Sequence, residues 1–135
     1  MVESTSPRWL VLDGYEDEPA AFGVPPYVGF HIRYLCGVLE QAKIEYDYLT
    51  IDQWRDFVRT EGEDAATKRL SNISGMACIA GAIVPGRYLR GTPISLKETR
   101  NIIRQLPASI PAIFGGWAIR GWRQQGWNPL RSNLF

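Results

Sequence analysis

Four short apolar runs, separated by helical patterns, constrain this chain more than any other feature. The first, Arg8 to Asp13 (R-W-L-V-L-D), is a continuous apolar segment closed by an acid, as in a buried parallel strand. Val28, Ile32, Leu35, Val38, Leu39 and Ala42 then recur at spacings of three and four, which predicts a helix from near Tyr27 to Lys43. Pro25-Pro26 stiffens the entrance to that helix. Glu45 to Ile51 alternates polar and apolar side chains with period two, the pattern of a strand nearer a sheet edge. Asp52 is the expected N-cap of a second helix carrying Trp54, Phe57 and Val58, which Gly62 interrupts before Ala65, Ala66 and Leu70. Met76 to Val84 is the most apolar run and is expected as a central strand. Ser95-Leu96-Lys97-Glu98 forms a capping box that opens a helix reaching to near Gln105. Ile110 to Phe114 is the fourth strand, with a short helical stretch expected around Ala118 to Gln125.

This alternation predicts an α/β fold: an open, mostly parallel, flavodoxin-like sheet with helices on both faces. Residues 1–135 are expected to form a single Rossmann-like domain. Doubly wound domains usually have five or more strands, so the expected domain is cut short at its C-terminal end. An apolar fraction of 45% and a charged fraction of 21% are those of a soluble globular chain. A formal net charge of +1, with the arginines scattered, speaks against a nucleic-acid surface. Cys36 and Cys78 both sit in apolar surroundings and belong to no C-x-x-C, so they are expected as a reduced, buried pair rather than metal ligands. With no signal peptide pattern and no apolar run of transmembrane length, a cytoplasmic protein without membrane partners is expected.

Several activities are excluded by the residues themselves. No P-loop, no G-x-G-x-x-G and no G-x-S-x-G elbow is present. A receiver domain needs a phosphoacceptor Asp at the end of the third strand, where this chain has Ala80-Gly81-Ala82. What remains is geometric, because open parallel sheets bind ligands beyond the carboxyl ends of their strands, where the strand order switches. With the first strand central, that crevice lies between Asp13–Pro26 and Gly81–Pro93. The first loop is longer than a strand-to-helix connection needs, and it supplies Asp13, Glu16, Asp17 and Glu18 as acceptors. The second supplies Arg87, Tyr88, Arg90 and Thr92 as donors for phosphate or carboxylate. The alternative is that these acids and arginines pair with one another or with water. His31, the single histidine, sits beside the core stripe in the first helical turn and is expected to be structural.

The residues Asp13-Gly14-Tyr15, Asp17-Glu18-Pro19 and Gly23-Val24-Pro25-Pro26-Tyr27, with the segment Ala80 to Ile94, carry a resemblance. They are similar to the N-terminal part of a mainly archaeal set of radical S-adenosylmethionine iron–sulfur proteins. In these a Rossmann-like, cobalamin-binding-like domain precedes the radical barrel. The resemblance covers residues 8 to 119; the expected ligand site, named on loop length and residue type, is Asp13, Glu16, Asp17, Glu18, Pro25, Pro26, Gly81, Arg87, Tyr88, Arg90 and Thr92. Two motifs depart from it. The D-x-H-x-x-G of histidine-ligated cobalamin binding is absent, since Phe30-His31-Ile32-Arg33-Tyr34 has the His without the Asp or Gly. The C-x-x-x-C-x-x-C that holds the iron–sulfur cluster is missing altogether.

The resemblance therefore implies an accessory domain that binds a cofactor or substrate and presents it to a downstream barrel or a separate catalytic subunit. Cobalamin without a histidine ligand is the cofactor it suggests; the cluster and S-adenosylmethionine would belong to the missing domain. No residue of this chain is assigned a catalytic or metal-binding role. The alternative is a standalone interaction module docking through the region of Trp117, Trp122 and Trp127. An unpaired sheet edge would also allow a homodimer. A small standalone enzyme using the acidic loop as general base is the third reading, weakened by the lack of any nucleophile–base pair.

Overall fold

Side chains of a strand alternate between the two faces of a sheet, and the first strand of this protein fills both faces with apolar residues. A computed structural model describes residues 8–15, 30–80 and 93–116, together with Trp122, Gln124 and Gly126. Strand β1 (Trp9–Gly14) places Leu10 and Leu12 on one face and Val11 and Asp13 on the other. It pairs in parallel on both sides, with β2 (Tyr46–Thr50) and with β3 (Gly75–Ala80). Strand β4 (Ala112–Gly115) adds to β3, also in parallel. The sheet order is β2-β1-β3-β4, so the chain moves one way from β1 to β2 and then crosses to the other side. The fold is α/β with an open, all-parallel four-stranded sheet, as the alternation of patterns predicts.

Helix α1 (Phe30–Gln41) covers one face of the sheet. Ile32 and Leu39 bury against Val11, with Leu35, Cys36, Tyr46 and Tyr48 packed around them. Helices α2 (Ile51–Glu61), α3 (Glu63–Ser71) and α4 (Leu96–Gln105) lie on the opposite face, over the larger core. That core joins Leu10, Leu12 and Met76 to Trp54, Leu70 and Ile102, and it also takes in Trp122. Helices therefore stand on both faces, as expected. Cys36 belongs to the α1 side and Cys78 to the other, so the sheet separates two free thiols. Burial pushes the Cys78 thiol up, and burial does the same for Cys36.

The element boundaries show where local signals compete. Ile51, expected at the end of a strand, instead opens α2 and is completely buried. The N-cap is Thr50 rather than Asp52: its hydroxyl accepts from the Gln53 amide, and the Gln53 side chain returns to the Thr50 amide. Thr50 holds the extended conformation a cap requires, which leaves Asp52 inside the first turn, where its charge suits the helix dipole. Gly62, at φ 93°, separates α2 from α3 in a conformation other residues resist. The capping box at Ser95 and Glu98 is present as read. On α1 two expected core positions, Val38 and Ala42, are exposed instead, because the stripe facing the sheet is narrower than the apolar spacing suggests. The predicted extensions at residues 27–29 and 81–84, and most of the helical stretch at 118–125, fall outside the described residues.

Gly37 sits in the middle of α1 with nothing within 4 Å of the position a Cβ would take. Glycine in a helix interior costs about 0.5–1 kcal/mol relative to alanine. Gly37→Ala is therefore expected to raise the unfolding free energy by about that amount in a urea melt. A loss of stability would mean that the groove beside Gly37 is closed in solution.

Candidate functional site

Asp13 is the last residue but one of β1, and only 6% of it is exposed. A buried carboxylate requires donors, and both its oxygens have one. The Tyr15 amide donates to Oδ1 at 2.9 Å, and the Tyr48 hydroxyl donates to Oδ2 at 2.5 Å. The pairing register places Val11 beside Tyr48, so the tyrosine rises from β2 on the same face as Asp13. Burial, followed by the hydrogen bond to Asp13, pushes the Tyr48 phenol far above its ordinary value. Asp13 is thus part of the frame at this edge, with both acceptor atoms already engaged.

Tyr15 carries the frame to the other face of the sheet. Its backbone lies at φ 62°, where a bulky residue is rare and costs free energy unless its surroundings hold it. The amide bond to Asp13 holds one end of it, and its hydroxyl donates to Asp52 Oδ2 at 2.8 Å. Burial pushes this phenol up as well, with the Asp52 carboxylate adding to the effect. From Asp52 the network continues into Arg55, whose Nη1 donates to Asp52 Oδ1 at 3.0 Å. Arg55 also grips Glu98 with two bonds, Nε to Oε2 at 2.7 Å and Nη2 to Oε1 at 2.8 Å. Its Nη2 donates in addition to the Pro93 carbonyl at 3.2 Å. A planar guanidinium suits this two-pronged contact, which a lysine would not reproduce.

Two loops start and end within this frame. The chain leaves β1 at Gly14 and Tyr15, and it returns towards α4 at Pro93 and Ile94. The Ile94 amide donates to the Gly14 carbonyl at 3.2 Å, so departure and return lie side by side. The contact is close: a Cβ on Gly14 would stand 2.4 Å from Ile94 Cγ2 and 2.6 Å from the Ile79 carbonyl oxygen. Only glycine allows the return segment to press onto the strand end in this way.

Of the site residues expected from sequence, Asp13 is described, and it lies at the carboxyl end of an inner strand. Glu16, Asp17, Glu18, Pro25, Pro26, Gly81, Arg87, Tyr88, Arg90 and Thr92 lie outside the described residues, as do Trp117 and Trp127. His31 is exposed in the first turn of α1 next to the buried Ile32, which is the place beside the core stripe that the spacing gives it. Trp122 is buried in the main core rather than standing on a contact surface. Sequence reasoning missed Tyr15, Tyr48, Asp52, Arg55 and Glu98. The Tyr46/Tyr48 alternation and the acid of the capping box were the available signals, and both read first as ordinary strand and cap. Among the described residues no group of three or more His, Cys, Asp or Glu is placed to hold a metal ion. Nor is any described helix long and apolar enough to cross a membrane.

The open parallel sheet with helices on both faces defines an α/β domain of the flavodoxin-like kind. The chain is similar to uncharacterized protein MJ0274 of Methanocaldococcus jannaschii, 41% identical over 96 residues. That match takes in 71% of this chain and 16% of the relative. An uncharacterized protein of Archaeoglobus fulgidus is 43% identical over 88 residues, 65% of this chain and again 16% of the relative. The chain thus spans a small part of the length of these archaeal relatives. No family model matches the chain, and no solved structure does.

Two expectations follow from the frame. Burial alone would raise the Glu98 carboxyl, but the bonds from Arg55 and from the Ser95 backbone hold it below its ordinary value of 4.5. A carboxylate with a depressed folded value stabilises fully above its unfolded value, and that contribution is lost as pH falls through the folded one. Both side chains are about a third exposed, so the contribution near neutral pH is about 1 kcal/mol. Glu98→Gln should therefore narrow its stability deficit as urea melts are moved from neutral pH to below 4.5. Parallel curves for the two proteins would show that the pair does not act this way. Separately, Gly14→Ala should destabilise by about 1–3 kcal/mol, since the new methyl meets backbone as well as Ile94. Wild-type stability in that variant would mean that the return segment is not seated on β1.

Proposed function

We propose that this chain is an accessory ligand-binding domain of a larger protein, and that it holds its ligand at the carboxyl edge of the sheet beside β1 and β3. The observation that carries the reading is the Ile94 amide bonded to the Gly14 carbonyl. That contact brings the stems of the two expected binding loops together at the switch in strand order, where open parallel sheets bind their ligands. The small share of each relative that the chain matches supports a domain serving a larger whole. The resemblance to the N-terminal domains of radical S-adenosylmethionine iron–sulfur proteins supports a role beside a catalytic barrel. The chemistry then belongs to that barrel or to a separate subunit, and this domain contributes recognition and position.

Corrinoids are the first ligands to test, bound without a histidine ligand to cobalt. His31 is exposed in the first turn of α1 and lacks the motif that would make it one. The frame of Asp13, Tyr15 and Tyr48 has its hydrogen bonds occupied and acts as the floor, while the two loops would supply the contacts. Hydroxocobalamin at about 100 μM should co-elute with the 135-residue chain on gel filtration and shift its visible bands. His31→Ala should leave both signals unchanged. Absence of retention at that concentration would overturn the corrinoid reading, and loss of binding in the variant would overturn binding without a histidine ligand.

A further inference from the structure

A groove of about 550 Å³ opens between α1 and the edge strand β2. We propose that it is a second binding site, for a flat aromatic or heteroaromatic molecule carrying an anionic group at one end. Its volume falls in the range of small-molecule sites, roughly 300–1,000 Å³. Tyr46 and Tyr48 stand two residues apart on one face of β2 and form one wall. Each hydroxyl is already engaged, Tyr46 donating to Glu40 at 2.7 Å and Tyr48 to Asp13 at 2.5 Å. The rings are therefore fixed before any ligand arrives, and what they offer the groove is aromatic carbon.

The opposite wall is the helix. Ile32 and Cys36 line it, and at Gly37 the missing side chain leaves open space, with nothing within 4 Å of a Cβ position. Arg33 and Glu40 lie seven residues apart on this wall, which is about 10 Å along a helix. Arg33 is exposed and makes no ion pair among the described residues, whereas Glu40 is engaged with Tyr46. The first turn of α1 has no acidic residue, so the positive end of the helix dipole adds to the field of Arg33. An elongated ligand thus meets a cation at one end, stacking surface in the middle and an occupied carboxylate at the other. That ordering selects an aromatic body with a carboxylate, sulfonate or phosphate at the Arg33 end.

The groove shares Tyr48 with the carboxyl-edge frame but takes its other walls from α1 and Tyr46, so its test does not depend on the corrinoid result. Two naphthalene probes differing by one charged group provide the test on the whole chain: 1-anilinonaphthalene-8-sulfonate and uncharged N-phenyl-1-naphthylamine. Fluorescence titration should show saturable binding of both, tighter for the sulfonate. Gly37→Leu fills the open wall without a backbone clash and should abolish both signals. Arg33→Glu should weaken the sulfonate about tenfold and leave the uncharged probe as it was. In a ¹H–¹⁵N correlation spectrum the sulfonate should shift amides of α1 and β2 first. No saturable binding up to about 1 mM overturns the proposal, as does a signal indifferent to Gly37→Leu. An Arg33→Glu effect equal for the two probes overturns the anionic end.

Discussion

The constraint on which this structure depends is a carboxylate buried at the end of an inner strand. Sheet geometry sends Val11 and Asp13 to the α1 face of β1, and the strand lies between two neighbours. Asp13 is therefore buried by topology, and the penalty of burying it without donors would be several kcal/mol. The donors come from two directions. Tyr48 reaches across from β2, and the chain turns sharply enough at Tyr15 to aim its own amide back at the strand end. The unusual φ of Tyr15 follows from that demand. Once Tyr15 is so placed, its hydroxyl falls on Asp52, and Asp52 and Glu98 together hold Arg55 between α2 and α4.

The consequence is a continuous hydrogen-bonded rim at the carboxyl edge of the sheet. The network ties β1 to β2 through Asp13 and Tyr48, α2 to α4 through Arg55 and Glu98, and the end of β1 to α2 through Tyr15 and Asp52. The start of the first loop is tied down at Tyr15, and the end of the second at Pro93 and Ile94. The scaffold thus carries its own stability up to the points where the loops begin and end.

How far the residues announce this architecture differs by level. The class and the inner places of β1 and β3 were readable because continuous apolar runs at Leu10–Leu12 and Met76–Ala80 require burial on both faces, and inner parallel strands provide it. The Ser95–Glu98 box was readable because its chemistry is local. The boundary at Thr50 was not, since Thr50-Ile51-Asp52 satisfies strand alternation and helix capping equally until the position of Ile51 in the core decides. The candidate site was readable only at Asp13. Its partners Tyr48 and Arg55 sit 35 residues from Asp13 and 43 from Glu98 respectively, and no short motif records a contact at that range.

Tyr48 has a place in two settings, and this bears on how the two proposed sites relate. Its hydroxyl completes the frame of the carboxyl edge, while its ring lines the groove beside α1. A ligand stacked on that ring meets a surface whose position is set by Asp13, and Asp13 is set in turn by the departure of the first loop at Tyr15. Coupling between sites needs differential contact in two arrangements of a shared element, and Tyr48 with Asp13 is the element they share. In the arrangement described here every atom of that element is satisfied, so the frame favours one state. Any change of that state on ligand binding must break the bond between Tyr48 and Asp13, whose loss would leave a buried carboxylate oxygen without its donor. The two sites therefore behave as independent unless a ligand at the carboxyl edge replaces that donor with one of its own.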